Sequence, residues 1–210
     1  MCVRPITHSA LRDVSRIHLA SFPESALSKL GAEPVLRYYR WQLDGPHECH
    51  ALGVWVGATL AGFAFGGVFR SALGGFVRQN RLYLAWRVAT HPWLLTGSVF
   101  RQRMGLGWVS LRRGRKPRTV PQASAAKPGA RNRSFAILAL AVHPDHKRTG
   151  LGTVLLREME ILAGGFNFES MDLSVQPDNE GAVRFYERLG WKKVTRDAEW
   201  SGHMEKALPI

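Results

Sequence analysis

The period of apolar residues changes several times along this chain, and each change marks a predicted element. Val3 to Ile6 reads as a short strand. Thr7 or Ser9 can cap the helix that follows, where Leu11, Val14, Ile17 and His18 share one face until Pro23 stops it. A second helical region runs from about Ser25 to Leu43, with a break near Gly31 to Pro34 and a stripe of Val35, Leu36, Tyr39 and Leu43. Cys49 to Phe69 carries no charge and is long enough to raise a membrane span of about 20 residues. Its five glycines (Gly53, Gly57, Gly62, Gly66 and Gly67) weaken a helix. Val54-Trp55-Val56, a Gly57-Ala58 turn and Leu60 to Phe65 therefore predict a hairpin.

Further along, Phe135 to Val142 is apolar almost throughout, as a strand covered on both faces must be. Leu151 to Ala163 has amphipathic helical spacing and ends at Gly164-Gly165. Met171 to Val175 predicts the next strand, Gly181 to Leu189 a helix with Gly190 as its C-terminal stop, and Trp191 to Val194 with Trp200 to Lys206 a last antiparallel pair.

Charge changes the picture between the hairpin and the apolar strand. Residues 70–133 hold 14 Lys and Arg and no Asp or Glu, whereas the rest of the chain holds 15 basic against 16 acidic residues. The net charge of +13 thus belongs to one segment, which reads as an insertion dividing a core into residues 1–69 and 134–210. Within it, Arg81 to Met104 has helical apolar spacing interrupted at Pro92, and Arg112 to Arg133 has linker composition. At 210 residues the chain can bury about two-thirds of its surface. Cys2 and Cys49 give no disulfide framework, and no apolar leader follows the start, so the reducing cytoplasm is the expected compartment.

The candidate chemistry lies between the apolar strand and its helix. Val142-His143-Pro144 is followed by Lys147-x-x-Gly150-x-Gly152, a loop of small and basic residues opening a helix. Backbone N–H groups can converge there on an anion, helped by the helix dipole, with Lys147 and Arg148 alongside. This loop resembles the pyrophosphate loop of the GCN5-related N-acetyltransferase (GNAT) family, with Lys147 where Gln or Arg is usual. A second element follows in order: Leu173 to Val175, then Asn179-x-x-Ala182-x-x-Phe185-Tyr186 and Gly190-Trp191, which resembles the family's strand, helix and entry into the last strand. Gln102-x-x-Gly105-x-Gly107 fits the loop pattern too, but it lacks the strand before and the apolar helix after, so it is read as chance.

The resemblance implies an α/β fold with a mixed, mostly antiparallel central sheet flanked by helices, here carrying a basic, partly helical insertion. It implies acetyl-CoA as cosubstrate, with the amides of Arg148, Thr149, Gly150, Leu151, Gly152 and Thr153 on the pyrophosphate, Lys147 beside them, and the backbone of Leu140 and Val142 along the pantetheine arm. Tyr186 becomes the candidate general acid, since a phenol is protonated at neutral pH, although its helical face also suits the core. Asn179 can contact the pantetheine, cap the helix, or both. Phe22, Glu24, Tyr38 and Tyr39 can line the acceptor site or simply pack two helices together.

The apolar strand has no acidic residue, so the general base is left among Glu24, Glu48, His50, Glu205 and water, with His143 placed toward the phosphates. No Cys/His spacing predicts a metal. The expected reaction is direct acyl transfer to a primary amine of a small molecule, and the basic insertion favours an acidic acceptor such as an amino sugar or amino acid. One alternative is a membrane-peripheral enzyme with a lipid-linked acceptor, its insertion lying on an anionic membrane surface. Another is a nucleic-acid-binding protein. Charge alone speaks for that, since the aromatic residues are not interleaved with the basic tail.

Overall fold

A computed structural model describes residues 1–69, 72–90, 134–195 and 199–209. Seven strands form one sheet: β1 (Cys2–Pro5), β2 (Glu48–Val56), β3 (Thr59–Val68), β4 (Ser134–Val142), β5 (Ser170–Ser174), β6 (Lys192–Lys193) and β7 (His203–Ala207), in the order β1-β2-β3-β4-β5-β7-β6. Among the described strands only β4 and β5 pair in parallel. The mixed, mostly antiparallel sheet flanked by helices is the architecture the resemblance implied.

One face carries α1 (Leu11–Ser21), α2 (Ala26–Leu30) and α3 (Ala32–Asp44); the other carries α6 (Leu151–Gly165) and α7 (Glu180–Arg188). Leu11, Val14 and Ile17 of α1 meet Val35 and Tyr39 of α3 over Phe63 and Phe65 of β3. On the opposite side Leu151, Leu155, Leu156 and Met159 of α6 cover Ile137, Met171 and Leu173. Each of these side chains contributes roughly 1.5–3 kcal/mol by leaving water, before the entropy of ordering is set against it.

Several sequence expectations need adjustment. Neither Thr7 nor Ser9 caps α1; their hydroxyls bond each other at 2.8 Å, and a short 3-10 turn over His8–Ala10 leads into the helix. The break in the second helical region narrows to Gly31, and Pro34 sits in the first turn of α3, where its missing N–H costs nothing. The uncharged run is the β2–β3 hairpin, turning at Gly57 with φ of 60°. No helix among the described residues is long and apolar enough to cross a membrane.

The basic stretch begins with α4 (Ala72–Gln79) and α5 (Arg81–Thr90), joined at Asn80. Phe76 is buried, Trp41 of α3 donates its indole N–H to the Ala72 carbonyl at 3.0 Å, and Arg37 lies 4.1 Å over the Tyr83 ring. The rest of the Arg81 to Met104 segment, the Gln102-x-x-Gly105-x-Gly107 copy and the Arg112 to Arg133 linker lie outside the described residues.

Candidate acyl-donor and acceptor site

The site is built where β4 loses a neighbour. Ser134 to Ile137 pair with Ser170 to Leu173 of β5, but Leu138 to Val142 have a strand on the β3 side alone. Beyond Leu173, β5 follows β7 instead: Ser174 pairs with His203, and the Val175 N–H donates to the Gly202 carbonyl at 2.9 Å. The two parallel strands therefore part at Ile137 and Leu173, leaving β4 an edge without a neighbouring strand that an extended chain can occupy, where the Val142 carbonyl accepts from the Ser21 hydroxyl at 3.1 Å.

A bulge shapes the same stretch. Phe65 of β3 pairs with Ala139 and Gly66 with Ile137, so Leu138 is an extra residue in β4. Ile137 and Leu140 touch the α6-side core, while Leu138 and Ala139 touch the α1–α3 side. Two consecutive side chains turn to one face, which shifts the alternation of the strand and re-aims its backbone at the parting.

Past Val142 the chain makes a tight loop into α6. His143 Nδ1 accepts from the Asp145 amide at 3.4 Å, and Thr149 Oγ1 donates to the His146 carbonyl at 2.6 Å. Arg148 and Gly150 both have positive φ, 64° and 84°. For arginine this region is disfavoured, so the loop holds backbone strain of the kind that accumulates at ligand sites. Gly150 is the N-cap of α6 and no side chain caps the helix, so the first N–H groups of α6 are left to converge outward. Lys147, Arg148, Thr149 and Gly150 are exposed, Leu151 is buried beneath them, and Gly152 and Thr153 are partly covered. A Cβ at Gly152 would sit 3.5 Å from Phe185, an ordinary contact, so any intolerance there comes from a ligand and not from the fold.

Asn179 caps α7, its Oδ1 accepting from the Ala182 amide at 3.1 Å. Tyr186 packs between Phe185 and Trp191, with ring centroids 5.1 and 5.8 Å away. Burial pushes its phenol up to about 12, so it stays protonated at neutral pH. Its hydroxyl has no partner among the described residues and keeps contact with solvent.

The residues proposed from sequence for the acceptor side separate. Tyr39 is fully buried and its hydroxyl bonds His18 Nδ1 at 2.8 Å; Tyr38 packs on Phe76, and burial raises both phenols. Phe22 rests 5.0 Å from the His18 ring. Glu24 is 87% exposed and paired with Lys29 at 2.9 Å. Glu48 and His50 line a cavity of about 370 Å³ with His47, Cys49, Phe166 and Phe168. His50 is on β2, beyond β3 from β4, its ring 6.0 Å from that of Phe135 and 4.6 Å from that of Phe166. Of the four candidate bases, Glu205 is on β7, the strand that β5 follows as it leaves β4, and it brings His203 and Asp172, which sequence reasoning passed over. The missed signal was alternation in two short strands: Met171, Leu173 and Met204 join the α6-side core, so Asp172, His203 and Glu205 face the other way.

The described residues hold no group of three or more His, Cys, Asp or Glu able to bind a metal. Comparison with known proteins agrees with the fold. The sequence model of the acetyltransferase (GNAT) family matches residues 11–191. A probable N-acetyltransferase, san, from Drosophila melanogaster is 32% identical over 76 residues, 36% of this chain and 41% of that protein. An N-alpha-acetyltransferase from Sulfurisphaera tokodaii is 34% identical over 59 residues, 28% of this chain and 35% of that protein. The chain thus matches less than half the length of either relative. Among solved structures, the PaiA N-acetyltransferase from Thermoplasma acidophilum in complex with coenzyme A superposes with a TM-score of 0.56 at 14% identity, covering 99% of each chain.

Proposed function

The chain belongs to the acetyltransferase (GNAT) family, and from that premise we propose that it transfers an acetyl group from acetyl-CoA to a primary amine of a small molecule, in a complex holding both. The observation that carries this reading is the edge of Leu138 to Val142, which no strand covers on the β5 side, running into the uncapped start of α6. An extended pantetheine arm can add to that edge through the backbone of Leu140 and Val142. The pyrophosphate then meets the amides of Arg148 to Thr153, with the charge of Lys147 and Arg148 beside it. A main-chain N–H near Leu140 polarises the thioester carbonyl. Tyr186 donates its proton to the departing thiolate, and Asn179 holds the start of α7 in place for it.

The basic stretch of residues 70–133 favours an acceptor with negative charge remote from its amine, such as a phosphorylated or nucleotide-linked amino sugar, or an amino acid. Calorimetric titration with acetyl-CoA tests the donor site. Wild type should bind at micromolar concentration. Gly150→Val, forced into positive φ, should lose binding, and Gly152→Ala should weaken it about tenfold at unchanged melting temperature. Acetyl-CoA binding that survives both changes would place the donor elsewhere, and absence of binding to folded wild type would remove the reading. A screen of acidic amines, reading thiol release, identifies the acceptor.

A second reading concerns where the acceptor is held. Leu73, Val77, Leu82 and Trp86 on α4 and α5 are 44%, 46%, 79% and 58% exposed, on helices that contain Arg78, Arg81 and Arg87 and no acidic residue. Such a surface suits an anionic bilayer and a lipid-linked acceptor. Cosedimentation with vesicles containing anionic lipid should fall on Trp86→Ser and Leu82→Ser, and lack of binding at low salt would discard this version.

A further inference from the structure

Two ionisable systems lie on opposite faces of the sheet around β5, the strand that parts from β4. On the α6 side stands the Tyr186 hydroxyl; on the α1–α3 side stand Asp172, His203 and Glu205. His203 pairs with Ser174, one position past the Ile137–Leu173 pair at which the strands separate. Gly202 holds it there. Its φ is +94°, and a Cβ would fall 1.9 Å from the Val175 carbonyl oxygen, so only glycine lets β7 approach β5 this closely.

The hydrogen bonds fix the state of the ring. His203 Nε2 donates to Glu205 Oε1 at 2.9 Å, since the carboxylate can only accept. In the neutral imidazole the proton-accepting position is then Nδ1. That atom has no partner among the described residues and keeps contact with solvent, although the residue is 7% exposed overall. A second carboxylate lies alongside: Ser134 Oγ donates to Asp172 Oδ1 at 2.6 Å, while Asp172 Oδ2 is buried without a partner. Burial raises the Asp172 carboxyl, and the Ser134 hydrogen bond and the charge of His203 work against that rise. Lys192 of β6 stands opposite Glu205 in register, whereas Lys206 and Lys193 lie on the α6-side face and pair with Glu160 at 2.7 Å and Glu187 at 2.9 Å.

We infer that His203, oriented by Glu205, is the general base that frees the acceptor amine for attack. The inference rests on the acyl-transfer reading. The acceptor arrives as an ammonium group and passes one N–H proton to His203 Nδ1, from which it leaves to solvent. The nitrogen lone pair then forms the C–N bond as the C–S bond breaks. The phenol proton of Tyr186 goes to sulfur, and the second proton shed by nitrogen restores the phenol. One proton is released overall, and acid and base act on opposite faces of one gap. While protonated, the imidazolium is balanced by Glu205 and the buried Asp172 carboxyl. Glu205 is a positioning residue: it sets which nitrogen is free.

The test is nitrogen-15 spectroscopy of the histidine rings across pH, with and without saturating acetyl-CoA, beside the calorimetric titration. The expected result is a neutral His203 protonated at Nε2, with ring resonances that move when acetyl-CoA binds. In Glu205→Gln the ring should become a mixture of tautomers. With the acidic amines of the screen as probe acceptors, His203→Gln should lower kcat about 100- to 1,000-fold at unchanged KM for acetyl-CoA, and the acid limb of the pH profile should vanish. Acetyl-CoA binding with His203 protonated at Nδ1, or with its resonances unmoved, overturns the assignment and leaves the donor site standing. Failure of folded wild type to bind acetyl-CoA overturns both. Should His203→Gln not fold, Glu205→Gln carries the kinetic test, with full turnover and an unchanged pH profile counting against the assignment.

Discussion

His18 and His203 are each 7% exposed on the same side of the sheet, yet their surroundings give them opposite chemistry. His18 is closed on both nitrogens. Ser25 donates its hydroxyl proton to Ser28 Oγ at 2.8 Å, so Ser25 Oγ accepts from His18 Nε2 at 3.3 Å, and Nδ1 accepts from the Tyr39 hydroxyl at 2.8 Å. No carboxylate takes part, and burial pushes the imidazole down to about 4. His203 has a carboxylate on one nitrogen and, among the described residues, no partner on the other. Degree of burial does not separate a structural histidine from a reactive one; the kind of partner and the free nitrogen do.

The largest effect that bears on this contrast is kinetic. Loss of about 100- to 1,000-fold in turnover is expected for His203→Gln, whereas His18→Gln should retain turnover at temperatures where it is folded; equal losses would erase the distinction. Next comes the pH dependence of stability. His18 ordinarily titrates near 6.5 and is held near 4, so the unfolded chain takes its proton first as pH falls. The stability tied to neutral His18 is complete above pH 6.5 and disappears down to pH 4, by roughly 3 kcal/mol. Urea unfolding from pH 7 to 4 should show this decline, and His18→Gln should flatten it. Tyr39→Phe removes the donor to Nδ1 and should cost about 1–3 kcal/mol by the same measurement, without altering the pH profile of turnover. The smallest effect is expected at Asp172→Asn. Its raised carboxyl disfavours the folded chain as pH rises past the ordinary value, so the amide should leave stability at pH 7 unchanged or higher by about 1 kcal/mol.

Much of the fold was legible because long apolar periods and turn residues coincide. The hairpin at Gly57, the β4 run, the Lys147-x-x-Gly150-x-Gly152 loop and the α7 helix closed by Gly190 all lie in contiguous sequence whose local preferences agree. The proposed donor side is legible for the same reason: it draws on backbone amides of one loop and one strand. The base could not. Asp172 and His203 are 31 residues apart in sequence and become neighbours only through β5–β7 pairing, and five-residue strands with mixed composition show little alternation of their own. Glu48, His50 and Glu205 looked equivalent in sequence because exposure, face and partner are set by packing.

The sequence by itself determined the order of strands and helices, the confinement of excess positive charge to one stretch, and the glycine-bearing loop at the start of α6, since each depends on residues close along the chain. Tertiary structure alone decided that β4 and β5 part after Ile137, that Leu138 bulges, and that His203 rather than His18 keeps an open nitrogen. Those outcomes depend on register between distant strands, and register is fixed by the whole packed sheet.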